Sequence, residues 1–573
     1  VENKPLLPQT PLATPSTRRS PRAQALLQTA LVLAIIFALN LLATRFYHRF
    51  DLTKEKRFTL TSATQKMLSN LDDVVYVRVF LEGDLPPGFR RLRNATQDML
   101  DEFRSYAPIE YEFIDPTADN DTALITDILK AGLKPTPLIQ QKQGYSEQYI
   151  YPGALVTYKG RTLATDLLQQ QLNRGPQETL NNSIGLLEFN LANAMNKIQQ
   201  NDRPKIAFLR GQGELPNQYV QDIGNDISRF YVLDTFDLNK NDFIPKTYQA
   251  IIIAKPTQPF SELNKFKLDQ YVMNGGRILW LVENVQANID SLQRGSLVAT
   301  NYELNLEDLL FKYGVKLNFD LVEDVQSVTV PFMADATKMV QLPWPYYPLV
   351  SNHNNEHVVS KNLDAVLLRF AGTIDTTTKL KNPIKRTPLL KTTPYTRIKT
   401  APIEINAEES RQKPNPADFN GGEQTVAMAL EGSFPSLFKN RLDASTQQII
   451  DNNPNLTRRE ESLPTKMIIV ADGDVIANDL DRRNNRNLPL GFYRYTNQTF
   501  ANKEFLINAV EWLTDDYGIV EARNKEIKLR LLDTQRIEGE RTFWQFVNLV
   551  LPVLLVLVFG VAYYFWRRKK YAL

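Results

Sequence analysis

Cysteine is absent from all 573 residues. That absence removes disulfides, thiolate metal sites, cysteine nucleophiles and every Cys-x-x-Cys redox motif together. It does not decide the compartment, because a disulfide-free chain can work on either side of a membrane. Histidine is nearly as scarce: His48, His353 and His357 are the only three, which leaves little material for metal or acid–base chemistry. No G-x-x-x-x-G-K-[ST] stretch occurs, so any ATP hydrolysis has to come from another chain. Neither sign of charge dominates. Charged residues are 23% of the chain and the formal net charge is +3, a balance without the footprint of nucleic-acid binding.

Long apolar runs, by contrast, are present at both ends. Residues 543–566 read FWQFVNLVLPVLLVLVFGVAYYFW with no charge among them. As a helix this run spans about 36 Å, enough to cross a hydrocarbon core of roughly 30 Å with some tilt. Aromatic residues stand at both of its ends, as interfacial belts do. Arg567, Arg568, Lys569 and Lys570 follow at once, and the positive-inside bias holds such a cluster on the cytoplasmic side. Residues 25–45 form a second run, read as an anchor in preference to a cleaved signal peptide because no small-x-small site closes it. Two spans put both tails, 1–24 and 567–573, in the cytoplasm and everything between them outside. The first tail is Pro-, Thr- and Arg-rich and reads as disordered.

Residues 51–175 carry a β-rich run at 74–80, a helix at 88–106, an alternating strand at 109–115, a helix at 124–131 and a hairpin of 149–158 with 161–167. Thr61 or Ser62 is expected to cap a short helix before them. Strand, helix, strand predicts a parallel crossover, and the order is similar to a thioredoxin-like α/β domain, here without cysteine for redox chemistry. Residues 176–518 begin with a predicted helix over 177–198, whose apolar residues fall on one stripe. KIAFLRGQGEL then runs a buried strand into a Gly-rich turn. Further buried strands are expected at 248–254, 277–283 and 466–472, alternating with helices, with Asn274-Gly275-Gly276 as a helix stop. This alternation argues a doubly wound, mostly parallel sheet. A long irregular region includes a Lys-, Pro- and Thr-rich insert at 380–422, either a solvated loop or β-extension or a contact surface for an anionic polymer or an acidic partner. Residues 519–541 form a stalk before the last span.

LNNSIGLLEFNLANAMNKI, KIAFLRGQGEL, MNGGRILWLVE, VADGDVIAND and LPWPYYPLVSNHNNEHVVSKNLD together resemble the auxiliary component of gliding-associated ABC transporters, the GldG family of Bacteroidetes-type bacteria. The resemblance runs from the first span to the last. It implies an extracytoplasmic (periplasmic) region with a domain similar to class I glutamine-amidotransferase folds. It also implies ABC permease and ABC ATPase subunits as partners, in a system linked to surface gliding. In one place the chain departs from the pattern: between Gly211 and Gly213 a histidine is expected, and Gln212 stands there.

The chemical motifs are weak. His353-Asn354-Asn355-Glu356-His357 matches H-x-x-E-H, but that zinc chemistry needs both histidines on one helical face, and the flanking prolines and internal asparagines favour turns. An amidase would need a cysteine nucleophile, and no G-x-S-x-G elbow offers serine instead. Asp472-Gly473-Asp474 with Asp479 resembles part of a calcium loop without its full spacing, so polar termination of a buried strand is expected. Gly211-Gln212-Gly213 lacks the further glycine of a dinucleotide fingerprint and reads as a tight turn. No catalytic residue, metal ligand or cofactor is assigned. The reading is a non-enzymatic, twice-anchored accessory subunit of an ABC transporter, in contact with membrane lipid and open to homo- or hetero-oligomers. The alternatives are an extracytoplasmic substrate-binding component and a tethered cell-wall hydrolase.

Overall fold

The computed structural model describes residues 21–45, 59–118, 122–141, 145–169, 175–200, 203–289, 296–333, 339–353, 356–376, 384–406, 415–441, 444–452, 457–481, 483–484, 486–524 and 534–571. They fall into two compact units, residues 1–59 and 60–573. In the first, the described element is α1 (Pro21–Arg45). Its apolar stretch, Leu26–Leu41, is shorter than the roughly 20 residues a crossing needs. Most of the tail expected at 1–24, and His48, lie outside the described residues.

The second unit opens with α2 (Ser62–Ser69), capped by Thr61, whose hydroxyl accepts the Thr64 N–H at 3.3 Å. Next come β1 (Val75–Val79), α3 (Pro87–Arg104) and β2 (Ile109–Phe113). β1 and β2 pair in parallel, as the strand–helix–strand order predicts. After α4 (Thr122–Lys130), β3 (Thr136–Gln141) and β4 (Tyr145–Ile150) form a hairpin of their own. β5 (Gly153–Tyr158) and β6 (Arg161–Asp166) turn at Lys159 and Gly160, both with positive φ. The expected single strand over 149–158 is therefore two. Pro152 has no N–H for a ladder, so the chain leaves β3 at Ile150 and joins β1 from Gly153. The four-stranded sheet has the order β2-β1-β5-β6.

The predicted helix over 177–198 is also two, α5 (Pro176–Gly185) and α6 (Leu187–Gln199). Gly185 loosens the register, and the Leu186 N–H tightens onto the Ser183 and Asn182 carbonyls, 3.1 Å each. Nine of the thirteen α6 residues are buried, so the helix is covered on more than one side, not along a single stripe.

An eight-stranded sheet follows, built from β7 (Lys205–Arg210), β8 (Val232–Asp237), β9 (Tyr248–Ala254), β10 (Arg277–Leu281), β11 (Asn352–His353), β12 (Lys385–Lys391), β13 (Thr425–Gly432) and β14 (Thr465–Val470). Its order is β11-β12-β13-β14-β10-β9-β7-β8. β14, β10, β9, β7 and β8 are parallel, and β13, β12 and β11 extend the sheet antiparallel. β7, β9, β10 and β14 are apolar on both faces, as parallel strands must be when helices cover both, while the edge strand β8 is mostly exposed. Ile206, Ile252, Leu279 and Ile468 join one core with α6, Ile223 of α7 (Gln221–Ile227) and α9 (Asn502–Thr514). Ala207, Ile251, Trp280 and Ile469 join a second core with Leu268 and Val272 of α8 (Glu262–Met273). The first core continues without a break into Val77 and Val156 of the small sheet and Leu92 of α3.

The region expected to be irregular is a β-rich cap. Ser327–Met333 pairs with Met339–Val350, Ser296–Asn301 with Ile403–Asn406, and Asp320–Asp324 with Thr396–Thr400. Trp344, Tyr346, Tyr347 and Phe370 lie in its core. The prolines inside Met339–Val350 hide that strand from periodicity. Within the insert at 380–422, β12 joins the main sheet, which is the β-extension reading; residues 377–383 and 407–414 lie outside the described residues.

Of residues 519–541, expected as a stalk, the first turn is a 3₁₀ segment, Ile519–Asn524, that packs into the body's core through Ile519, Val520 and Ala522; residues 525–533 are not among the described ones. α10 (Thr534–Gln545) and α11 (Leu551–Tyr571) join through a π-turn, Phe546–Val550. Gly539–Lys570 is long and apolar enough to cross a membrane, and no part of its apolar window is buried.

Candidate functional site

In an open α/β sheet, ligands bind outside the carboxyl ends of the parallel strands. Here those ends carry a buried set of charges. Lys255 follows β9 with a left-handed backbone, φ 54°, and its N–H bonds the Leu281 carbonyl at 2.9 Å. Glu283 stands two residues beyond β10, and Asp472 and Asp474 lie just beyond β14. The Lys255 Nζ is 2.7 Å from Asp474 Oδ2 and 3.1 Å from Glu283 Oε1. Glu283 is 2% exposed and Asp472 fully buried. One carboxylate oxygen of each of the three acids lies within 4.8 Å of the others.

Burial and the neighbouring Asp474 push the Asp472 carboxyl up to about 7. The same two causes raise Glu283 well above the usual carboxylate range, against the pull of Lys255. For Lys255, burial works against the ammonium, but Glu283 and Asp474 outweigh it and hold the group above the ordinary lysine value. A lysine held cationic is no nucleophile. Three carboxylates at this spacing suit a divalent cation in number; the tethered ammonium stands among them and offsets one of the three charges, and the Glu283 carboxylate is buried without a hydrogen-bond donor among the described residues.

The cap closes this edge. Asp472 accepts main-chain N–H groups from Arg369 and Asp474 at 2.7 Å each, and Gly372 N–H bonds the Ala471 carbonyl at 2.8 Å. Asp479, suggested by the partial calcium loop, is taken by Arg369 in a two-pronged pair at 3.0 and 3.2 Å. Gly473 is required by space: a Cβ there would lie 2.6 Å from the Lys255 Cβ.

The Gly211-Gln212-Gly213-Glu214 turn sits where strand order reverses, between β7 and β9. Both glycines have positive φ. The Gln212 N–H donates to Glu214 Oε2, and its carbonyl accepts from Thr257 and Gln258, all at 2.9 Å. Gln212 is 2% exposed, and its amide reaches Asn239 Oδ1 at 3.3 Å. The main-chain bonds make it a tight strand-to-helix turn, with Gln212 Oε1 and Glu214 Oε1 buried beside them without a hydrogen-bond donor among the described residues. The two histidines of H-x-x-E-H do not share a helix: the His353 backbone pairs with Leu390 in the sheet. His357 lies in the following turn, edge-on to Trp512 at 5.2 Å, where burial lowers it to about 4.

Two features escaped sequence reasoning. A cavity of about 340 Å³ opens near the amino ends of β9 and β10, lined by Tyr248, Phe266, Lys267, Tyr271, Asn274 and Arg277. The second is a buried ionic joint. Glu511 of α9 receives Lys197 of α6 at 2.7 Å and the Asn193 amide at 3.0 Å, with Arg523 of the stalk at 3.8 Å. Burial alone would raise the Glu511 carboxyl; Lys197 and Arg523 hold it below its usual value. The Arg523 guanidinium lies over the Phe189 ring at 4.3 Å.

Residues 203–509 match the family described as an ABC-type uncharacterized transport system. That is more than half of the 573 residues. The chain belongs to this family. Its members are auxiliary components of ABC-type transport systems, so association with transporter subunits and with a membrane comes with membership. Within it, the sheet and its cap make up the family's domain, while residues 54–157 match a separate domain of unknown function. An uncharacterized protein of Borreliella burgdorferi is 18% identical over 552 residues, 95% of this chain and 98% of its own length. A solved structure, the mmIFT52 N-terminal domain, aligns over 54% of this chain and 98% of its own at 15% identity, with a TM-score of 0.30, too low to bear on the fold.

Proposed function

We propose that the chain is a non-enzymatic, membrane-anchored accessory subunit of an ABC transporter that couples motion of the permease and ATPase to domains outside the cytoplasmic membrane. The family match over 203–509 carries this reading. The exposed apolar helix Gly539–Lys570 supports an anchor. The strand-end charges support an inert body, since Lys255 offsets part of their charge internally and the cap covers Asp472. The topology of the small sheet supports a thioredoxin-like domain, and the doubly wound sheet supports the amidotransferase-like one. In this reading residues 25–45 form the second span, both termini are cytoplasmic and the body is periplasmic. The link to gliding rests on the sequence resemblance alone.

The test is gentle detergent purification of the full chain from cells carrying the whole system, with identification of co-purifying chains. An ABC permease and its ATPase are expected; their absence, under conditions that keep other complexes intact, would refute the reading. A second reading, a substrate-binding component, is favoured by the cavity near Tyr248 and Arg277. Ligand-induced thermal stabilisation that Arg277→Ala removes would support it.

A further inference from the structure

Across the π-turn, the Leu551 N–H reaches back five residues to the Phe546 carbonyl. In a regular helix that N–H would serve Val547. The next residue is Pro552, which has no N–H to offer Val547 or Asn548. One turn of an otherwise apolar helix therefore presents a main-chain carbonyl deprived of its helical donor beside the exposed amide of Asn548. Asn548 lies about 7.5 Å along the helix from Phe543, inside the aromatic belt. Acyl chains offer such groups no hydrogen bond, and hydrocarbon does not tolerate them bare.

We propose that this polar notch docks against a transmembrane helix of the transporter's permease that presents a hydroxyl or amide donor at the same depth. The inference rests on the accessory-subunit reading. An auxiliary chain of an ABC system meets the spanning part of that system within the bilayer, and this helix is the element long and apolar enough to enter it among the described residues. Side-chain hydrogen bonds between helices are a principal contact available there, because burial of apolar surface gains nothing against lipid. The notch gives the helix a docking face around Asn548 and Pro552; Leu554, two residues beyond Pro552, points the other way.

The test uses the full chain in cells carrying the whole transport system. A photoreactive benzoyl-phenylalanine replaces Asn548 in one variant and Leu554 in another. The crosslink from position 548 should be to the permease, and that from 554 to lipid. Asn548→Leu should lower co-purified permease roughly five-fold, the worth of one such bond, while Asn548→Gln retains it. Thermal unfolding of the outer body should be the same in all variants, which separates loss of docking from loss of folding. The inference is overturned if 548 crosslinks to a second copy of this chain or to residues 25–45. It also fails if 548 and 554 label the permease equally, or if Asn548→Leu keeps wild-type amounts of it. A wild-type chain that brings down no permease at all would instead remove the accessory-subunit reading itself.

Discussion

Lys197 and Glu511 stand 314 residues apart in the sequence and 2.7 Å apart in the fold. With Arg523 they tie the helix after the small sheet, the last helix of the large sheet and the first turn of the stalk to one carboxylate. Both side chains of the pair are about a tenth exposed, so solvent screens the contact little.

Glu511→Ala should destabilise the body by about 3–5 kcal/mol, because it leaves buried cations without a counter-charge. Thermal or urea unfolding of the detergent-solubilised chain measures it. The folded carboxyl titrates below its unfolded value of 4.5. Its stabilisation is therefore full above pH 4.5 and is lost as pH falls through the folded value. The gap between wild type and Glu511→Gln should shrink over that fall.

Asp472 has the opposite sign. Its folded value is raised from 3.8 to about 7, so the folded state holds the proton more tightly than the unfolded one. Its contribution is largest below pH 3.8 and declines until about 7. Asp472→Asn, fixed in the neutral form, should gain stability relative to wild type as pH rises through that window. Parallel curves for the two proteins would contradict the assignment.

Gly473→Ala should cost about 1–3 kcal/mol, as overpacking does in a filled interior. The added methyl meets the Lys255 Cα at 2.9 Å as well as its Cβ, so the clash is with backbone and not a flexible tip. Denaturation midpoints decide it.

The cysteine-free chain is a clean background for topology. Cysteine at Met339, 62% exposed, should react with an impermeant maleimide in intact spheroplasts. Cysteine at Lys570 should react only after permeabilisation. The reverse pattern would place the body in the cytosol.

The parallel strands were legible because runs such as the isoleucines at 251–253 have no exposed face to alternate with. The stop after α8, the Thr61 cap and the Lys159-Gly160 turn were legible from local chemistry. The β cap was not, since its strands are short and threaded with proline and threonine. Gly185 and Pro152 each divided an element that periodicity had joined. Lys255, Glu283 and Asp472 read singly as ordinary strand-end polar residues; only the sheet order brings them together. Nothing near Lys197 in the sequence points to Glu511.

One helix, α6, lies in the same core as both sheets. Two plates bolted to a shared axle cannot nod independently, so a tug on Arg523 would swing the whole body as a lever and not open a hinge inside it.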